Sequence, residues 1–491
     1  MRIKANKIVK IAAEAIRLYN AGAYDRALPL FQDLVRWRHD LARSLHAVGD
    51  CAMNVGKSAL AMGAYRRALT IDPRRCGAQE NLIFLLDAQP DTTPAIAAAE
   101  RQRWWAMYGA HAYAGRQPYT PTLDPDKRLR VGYVSGDYRF HSAAIAFSGV
   151  ITNHSDAIEP VFYSTLPPTL YDDVTKHQWI NRVGPYFVDV SQYNAATFAQ
   201  IVRDDLVDIL VDLSGYTACN RLLSFAHKPA PIQISAWGYA TGTGMAAMDY
   251  LISDPIVASP EIRAGLAETV IDLPCVLTFT PRPDVPPVNA LQCLDHPPVF
   301  SAFQRSSKLN REVLAVWSEI LQRVPESKLL FKGPDYGPLV REWIASQMPD
   351  VRHQISFHTA TSHLEHQSWY QMVDLSLDPW PQTGGVSTLE SIHMGVPPVT
   401  LIGDRVIQRT SASVLTVLGH PEFIASTTQE YIDKAVYFVT EGRTHLAQVR
   451  SELRPQLLGS PIVVGYVAQV ETHYRELWRA FCARQAKEQA A

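Results

Sequence analysis

The chain has 491 residues, with Lys+Arg 46 against Asp+Glu 48, and 47% of it is hydrophobic. That is about three times an ordinary domain of ~150 residues, so two or three domains are expected, and the composition excludes a disordered or fibrous chain. A net charge of −2 argues against a dedicated nucleic-acid binder, and no run approaches the ~20 apolar residues that span a bilayer.

At the amino end Arg2, Lys4, Lys7 and Lys10 imitate the basic start of a secretory signal. Ile11-Ala12-Ala13 then runs into Glu14 and Arg17, leaving no apolar core, so the segment reads as the first turn of a helix. Gly22, Tyr24, Ala27, Phe31 and Leu34 are followed 34 residues later by Gly56, Ala61, Tyr65 and Ala68, with Pro73 closing the unit. Small–aromatic–small at that period is the tetratricopeptide pattern, in which small residues let two helices approach and the aromatic fills the gap beside them. A third, degenerate helix pair is expected between Gln79 and Tyr108. Residues 1–115 are therefore expected to form a short helical stack, which needs capping at its ends.

Residues 116–127 hold three prolines and read as a linker. The grammar then changes. Strands are predicted at 129–135, 161–164, 186–190, 208–213, 232–237 and 250–253, alternating with helical patterns. Short apolar strands alternating with helices indicate a parallel sheet covered on both faces. A second proline-rich break at 281–298 precedes the same pattern, with strands at 299–303, 329–332, 355–357, 375–377 and 399–402 and a helix at 311–323. A helix from Val463 to Ala486 closes the chain. The expected division is 128–280 and 299–460 as two doubly wound lobes and 461–491 as a C-terminal helix. Such lobes hold a ligand between them, beyond the C-terminal ends of their strands.

The loops after strands carry the chemistry-bearing residues. Asp378-Pro-Trp-Pro-Gln-Thr-Gly384-Gly385-Val386-Ser387-Thr388-Leu-Glu390 leaves a strand and enters a helix. Free N–H groups at a helix start, with glycine's permissive backbone, suit a diphosphate, and Ser387 and Thr388 add hydroxyl donors. Glu390, one turn on, is placed to accept from ribose hydroxyls. A glycine-containing helix cap without a ligand has the same signature. In Phe303-Gln304-Arg305-Ser-Ser-Lys308, Lys308 offers a point charge and Arg305 a fork for phosphates. His141 follows the first strand of the other lobe, as base or donor toward a sugar, or merely as a helix cap. The loops holding Tyr216, and Trp237 with Gly238, read as a substrate floor. His363 and His366 lie three apart but lack a third ligand, so a platform for a base is preferred to a metal site.

Six scattered cysteines (51, 76, 219, 275, 293 and 482) include no CxxC pair, which fits unpaired thiols in a reducing, cytoplasmic setting.

In combination, the repeats, 129–137 with His141, Gly215-Tyr-Thr, Pro229-Ala-Pro-Ile-Gln, Trp237-Gly-Tyr, Phe303…Lys308, Val324-Pro-Glu-Ser, Leu377-Asp-Pro, Gly384-Gly…Ser-Thr and Met394-Gly-Val-Pro-Pro-Val-Thr are distinctive. Together they resemble the SPINDLY/O-linked N-acetylglucosamine transferase family, glycosyltransferase family 41, over about residues 10–75 and 128–445. The resemblance implies an α/β fold of GT-B type and a metal-independent, inverting transfer of a sugar from a nucleoside diphosphate to Ser/Thr of proteins. It implies no cofactor, no membrane and no nucleic acid; the acceptor protein would be held by the repeats and the cleft. By match to the family's motifs, Lys308 would bind the diphosphate, Gly385, Val386 and Ser387 would form the phosphate loop, and Glu390 would bind ribose. His366 would pack on the base, with His363 and the Thr361 backbone beside it; His141 would be the histidine of the first lobe, and Gly238 would lie near the sugar.

The animal-type enzymes have His-Thr-Thr where this chain has Gly385-Val386-Ser387, and the SPINDLY branch is closer. A usual proline is Ala240, the large insertion between lobes is absent, and the repeat array is short. The expected donor is UDP-N-acetylglucosamine, with GDP-fucose as the alternative; a nucleotide-sugar epimerase and a repeat scaffold with an inactive second half are the competing classes.

Charge is unevenly spread. Residues 1–120 hold 17 Lys/Arg against 10 Asp/Glu, or +7, which leaves −9 for the remainder. Solvated helix faces account for this, and the sharper expectation is a preference for acidic or phosphorylated acceptors.

Overall fold

The computed structural model describes residues 2–119, 122–282, 284–333, 335–359 and 361–490. Of the two expected linkers, Thr120, Pro121 and Pro283 lie outside the described residues. Two compact units emerge, residues 1–111 and 112–491.

The first unit is built from the helices α1 (Arg2–Asn20), α2 (Tyr24–Arg36), α3 (Leu41–Asn54), α4 (Ser58–Ile71), α5 (Cys76–Asp87) and α6 (Pro94–Trp104). The 34-residue period is visible in the backbone: Gly22 (φ +71°) and Gly56 (φ +74°) make the same left-handed turn between paired helices. The repeated small and aromatic positions Ala27, Ala61, Tyr65 and Ala68 are fully buried. Gly49 is dictated by packing, since a Cβ there would stand 2.4 Å from the Tyr65 ring. Asp50 then gathers Tyr19 from α1 (2.9 Å), Tyr65 from α4 (2.7 Å) and Asn81 from α5 (2.9 Å), so one carboxylate ties three helices.

The second unit holds two all-parallel sheets. The first comprises β1 (Leu129–Ser135), β2 (Ile158–Ser164), β3 (Phe187–Asp189), β4 (Ile209–Asp212), β5 (Ile232–Ser235), β6 (Tyr250–Ser253) and β7 (Thr269–Asp272). Its spatial order is β3-β2-β1-β4-β5-β6-β7. The second comprises β8 (Val299–Ala302), β9 (Lys328–Lys332), β10 (Ile355–His358), β11 (Leu375–Leu377), β12 (Pro398–Leu401) and β13 (Ile424–Ala425), in the order β10-β9-β8-β11-β12-β13. Both orders start at the middle and reverse, which defines doubly wound lobes with a switch point beside β1 and beside β8. The loops after β1, β4, β8 and β11 leave the sheets at those switch points.

Two edge strands escape the sequence pattern. β7 buries only Ile271 between exposed Thr269 and Asp272, and β13 is two residues long, so neither makes an apolar run. The last helix, Tyr466–Ala490, begins three residues after the expected start, because Val463 and Val464 bond back to Ser460 and Gly465 turns with φ +73°. It also differs from the expected separate segment in its packing. Tyr466, Val470, Tyr474, Trp478 and Phe481 are buried in the core of the first lobe, among Val131, Tyr133 and Ile252. The chain thus crosses between lobes twice, and the crossings are bonded side by side: Thr278 Oγ1 donates to Ile462 O (2.8 Å) and Phe279 N–H to the same oxygen (3.3 Å).

Candidate functional site

In the first lobe, β1 ends at Ser135, whose Oγ accepts from Asp137 N–H (2.9 Å), and the turn delivers His141 to the start of the helix Ser142–Ile151. His141 caps that helix: its Nδ1 accepts from Ala143 N–H at 3.2 Å. Burial pushes the imidazole below its ordinary pKa, Asp137 pulls it up, and Arg305 and Arg139 push it down. β4 ends at Asp212, buried, whose carboxyl accepts from Ser214 N–H (3.1 Å) and Gly215 N–H (2.9 Å). Desolvation raises its pKa to about 6.

The expected substrate floor is corrected at two positions. Tyr216 is 1% exposed and its hydroxyl donates to Thr243 O (2.6 Å). Trp237 is 4% exposed and its Nε1 donates to the Tyr466 hydroxyl (3.0 Å), which in turn donates to Cys275 O. Both side chains are withdrawn into the lobe, where they hold loops to one another and to the terminal helix. Gly238 is a close-approach glycine, because a Cβ would stand 1.7 Å from Leu213 O.

In the second lobe, β8 runs out through Phe303 and Gln304 to the turn Ser306–Lys308, pinned by Ser306 N–H and Oγ on Asp335 Oδ2, both at 2.7 Å. Lys308 is half-buried, and its Nζ donates to Thr383 O (2.8 Å) at the base of the glycine loop. Desolvation lowers its pKa to about 8, against the pull of Asp378. Asp378, the first residue after β11, is buried and organises that loop. It accepts from Gly384 N–H (2.7 Å) and from Thr400 Oγ1 (2.7 Å). The helix Val386–His393 starts at Gly385 with no side chain capping its first turn, while Gly385, Val386 and Ser387 are half-buried. Its end is therefore open to an anion. Thr388, expected as a hydroxyl donor, is buried and shares a hydrogen bond with Ser411 Oγ (2.8 Å), which braces the loop. A cavity of about 20 Å³ is lined by Phe303, Gln304, Tyr370, Asp378, Ser387 and Thr388 among others, bringing Gln304 to the wall of the glycine loop. The Gln304 Nε2 is buried with no partner among the described residues.

Glu390 lies on the same helix with His363 Nδ1 at 3.6 Å and His366 Nε2 at 3.9 Å. Burial raises Glu390 to about 7 and lowers His366 to about 4. The His366 ring packs against Phe303 and Tyr370, with centroids 5.6 and 5.7 Å away. Lys332, absent from the sequence reading, completes this group. It is 2% exposed, and its Nζ donates to Thr361 Oγ1 (2.9 Å) and to His366 Nδ1 (3.1 Å). Its only sequence signal is a lysine closing an apolar strand. Asp378 was legible only as the first residue of a loop. Among the described residues no three His, Cys, Asp or Glu side chains form a group able to hold a metal ion.

The structure thus gathers Lys308 with the glycine loop, and Thr361, His363 and His366 with Glu390. It also brings Arg305 across to His141, Nη2 to Nε2 at 3.2 Å. Two doubly wound lobes, a glycine turn opening a helix at a switch point, and a half-buried lysine against that turn define a transferase scaffold of GT-B type. The chain belongs to glycosyl transferase family 41, whose family model matches residues 110–277 and 289–466. It is 30% identical over 399 residues to the Arabidopsis thaliana SPINDLY protein, named a probable UDP-N-acetylglucosamine–peptide N-acetylglucosaminyltransferase, covering 78% of this chain and 43% of that one. It is also 30% identical over 377 residues to the SEC protein of the same plant, which bears the same enzyme name, covering 73% and 38%. The chain therefore spans less than half the length of these relatives. A mutant O-GlcNAc transferase of Thermobaculum terrenum superposes with a TM-score of 0.80 at 27% identity, covering 98% of this chain and 99% of that one.

Proposed function

We propose that the chain is a protein O-glycosyltransferase that moves a sugar, with inversion, from a nucleoside diphosphate to Ser or Thr hydroxyls, using no cofactor or metal. One observation carries the reading: a lysine that is costly to bury stands against an uncapped, glycine-opened helix start, in a chain that aligns over 98% of its length with an O-GlcNAc transferase. Charge builds on the leaving diphosphate as the glycosidic bond breaks, and fixed cations and N–H dipoles aimed there lower the barrier. Lys308 and the first turn of Val386–His393 supply them. Glu390 accepts from the ribose, His366 packs on the base with His363 and Thr361 alongside, and Gln304 turns its unpartnered amide toward a phosphate oxygen. Gly238 lies near the sugar, by its match to the family's motif.

UDP-N-acetylglucosamine is the first donor, from the names of the relatives. GDP-fucose is the second reading, favoured by Lys332: guanine presents paired acceptors, O6 and N7, that suit an ammonium beside the base platform. The acceptor would be a protein held by the helical repeats and the cleft, and six free thiols suit a reducing cytoplasmic setting. Among the described residues no helix is long and apolar enough to cross a membrane. A thermal-shift panel of UDP- and GDP-sugars tests this, because a ligand that binds only the folded state raises the midpoint by mass action. The donor is the sugar nucleotide giving the largest shift. If no member shifts the midpoint, the transferase reading falls and the scaffold alternative stands.

A further inference from the structure

We infer that Arg139, in the first lobe, is an anion subsite for the acceptor, binding an acidic or phosphorylated residue close to the modified Ser or Thr; this rests on the reading of the chain as a protein O-glycosyltransferase. The observation is a guanidinium left without an acceptor. Arg139 Nε is buried and has no hydrogen-bond partner among the described residues. Its Nη2 stands 3.6 Å from Asp137 Oδ1, beyond hydrogen-bond reach, and the side chain is 35% exposed. The other nearby carboxylate is engaged elsewhere: Asp172 Oδ2 accepts from Phe140 N–H (2.8 Å), and its Oδ1 from Thr175 N–H (2.8 Å) and Oγ1 (3.0 Å). Arg221 shares the orphaned Nε, but its Nη2 donates to Val190 O (3.0 Å) and Ser191 O (2.9 Å), so that side chain is tied to the backbone. Arg139 is tied to nothing. A guanidinium has donors only, so the oxygens that complete it come from outside the chain.

Its place in the fold says which oxygens. The loops after β1, β2 and β4 converge at Gly136, where a Cβ would stand 2.7 Å from Cys219 Cβ and 3.2 Å from Thr165 Oγ1. Thr165 Oγ1 in turn donates to Cys219 O (2.6 Å). Arg139 leaves this junction in the same turn that brings His141 to Arg305 of the second lobe. It therefore lies at the cleft, beyond the C-terminal ends of the first lobe's strands. The groups suited to the nucleotide belong to the second lobe: Lys308 against the glycine loop, and Glu390 with His366. The first-lobe rim is left to the acceptor polypeptide, and the anions a polypeptide offers are side-chain carboxylates and phosphates. Both match the fork of a guanidinium with two parallel bonds. The charge of Arg139 is felt at His141 and at Cys219, so an anion seated on it sits beside His141, close to the hydroxyl being modified.

Transfer assays with the full chain test the subsite, using peptides with a single modifiable serine that differ only in carrying Gln, Glu or phosphoserine beside it. The unaltered chain is expected to favour the anionic peptides over the Gln peptide by about fivefold or more in kcat/KM, as befits a charge-assisted bond at a partly exposed site. The larger of the two ratios distinguishes a carboxylate from a phosphate as the anion taken. In Arg139→Gln both ratios should fall to about one, and in Arg139→Lys part of the preference should remain, without the fork that favours phosphate. Each ratio is taken within one protein, so a general loss of activity leaves it unmoved. If the melting midpoint shows that Arg139→Gln does not fold, Arg139→Lys alone must lower the phosphoserine ratio. Calorimetry should find UDP and GDP affinity changed less than about twofold in either variant. No preference in the unaltered chain, no transfer to any peptide by a chain that binds a donor, or a preference that survives the substitutions overturns the subsite and leaves the donor reading standing. A fall in donor affinity that matches the fall in transfer overturns it too, by moving Arg139 to the donor. If the unaltered chain binds neither UDP nor GDP, the donor reading falls and takes the subsite with it.

Discussion

At the scale of single residues, the site is a set of groups held away from their comfortable charge states. Lys308 is charged below about 8 and loses its proton above that value. An ammonium is what a diphosphate binds, so affinity for the nucleotide should hold from pH 6 to 7.5. Above about 8 it should fall, approaching tenfold per pH unit. Calorimetry across that range, repeated on Lys308→Met, should find the slope gone and binding weak throughout. Glu390 titrates in the opposite sense. Its folded-state value, about 7, lies above the ordinary 4.5, so the folded protein keeps a proton the unfolded chain releases, and this group's contribution to stability declines as pH rises from 4.5 through 7. Glu390→Gln should therefore melt a few degrees higher at pH 8 while binding nucleotide about tenfold more weakly. Residue types were readable at this scale and their environments were not. Tyr216 and Trp237 look like site residues in a string of letters because they sit in loops after strands. Burial and the partners of their polar atoms reassign them to support. Lys332 was invisible for the converse reason: a lysine ending a strand is ordinarily solvated, and only the fold brings it to His366.

At the scale of elements, the glycine loop shows how one motif divides its labour. Gly384 and Gly385 are adjacent and looked equivalent. A Cβ on Gly384 would stand 2.1 Å from Thr388 Oγ1 and 3.0 Å from Asp378 Oδ1, whereas one on Gly385 meets only Leu277 Cδ1 at 3.5 Å. Gly384→Ala is expected to displace the loop from Asp378, lowering the melting midpoint and abolishing nucleotide-induced stabilisation. Gly385→Ala should cost less on both measures. The alternation of strands and helices was legible because central strands of a parallel sheet are apolar on both faces. β7 and β13 were lost because edge strands need not be.

At the scale of the whole molecule, the helix Tyr466–Ala490 belongs to the lobe that begins more than three hundred residues earlier. Trp478 is fully buried there, with Nε1 donating to Asp124 O (2.8 Å). Trp478→Ala should destabilise by about 3–5 kcal/mol, read as a lower denaturation midpoint, and the loss should appear in tryptophan-independent probes of the first lobe as well. The basic character of the repeats adds a second expectation at this scale. If they select acidic acceptors, raising salt should depress modification of protein acceptors more than turnover of the donor alone.

The double crossing between lobes has a consequence for how the chain is made. Synthesis proceeds from the amino end, and a lobe ordinarily folds as soon as its own residues emerge. Here the first sheet is finished at Asp272, yet the slot for Tyr474 and Trp478 stays unfilled until residues 466–490 have been added. The first lobe to be translated is therefore the last to close, and the second lobe must fold beside an incomplete neighbour that exposes its apolar flank until the final helix arrives.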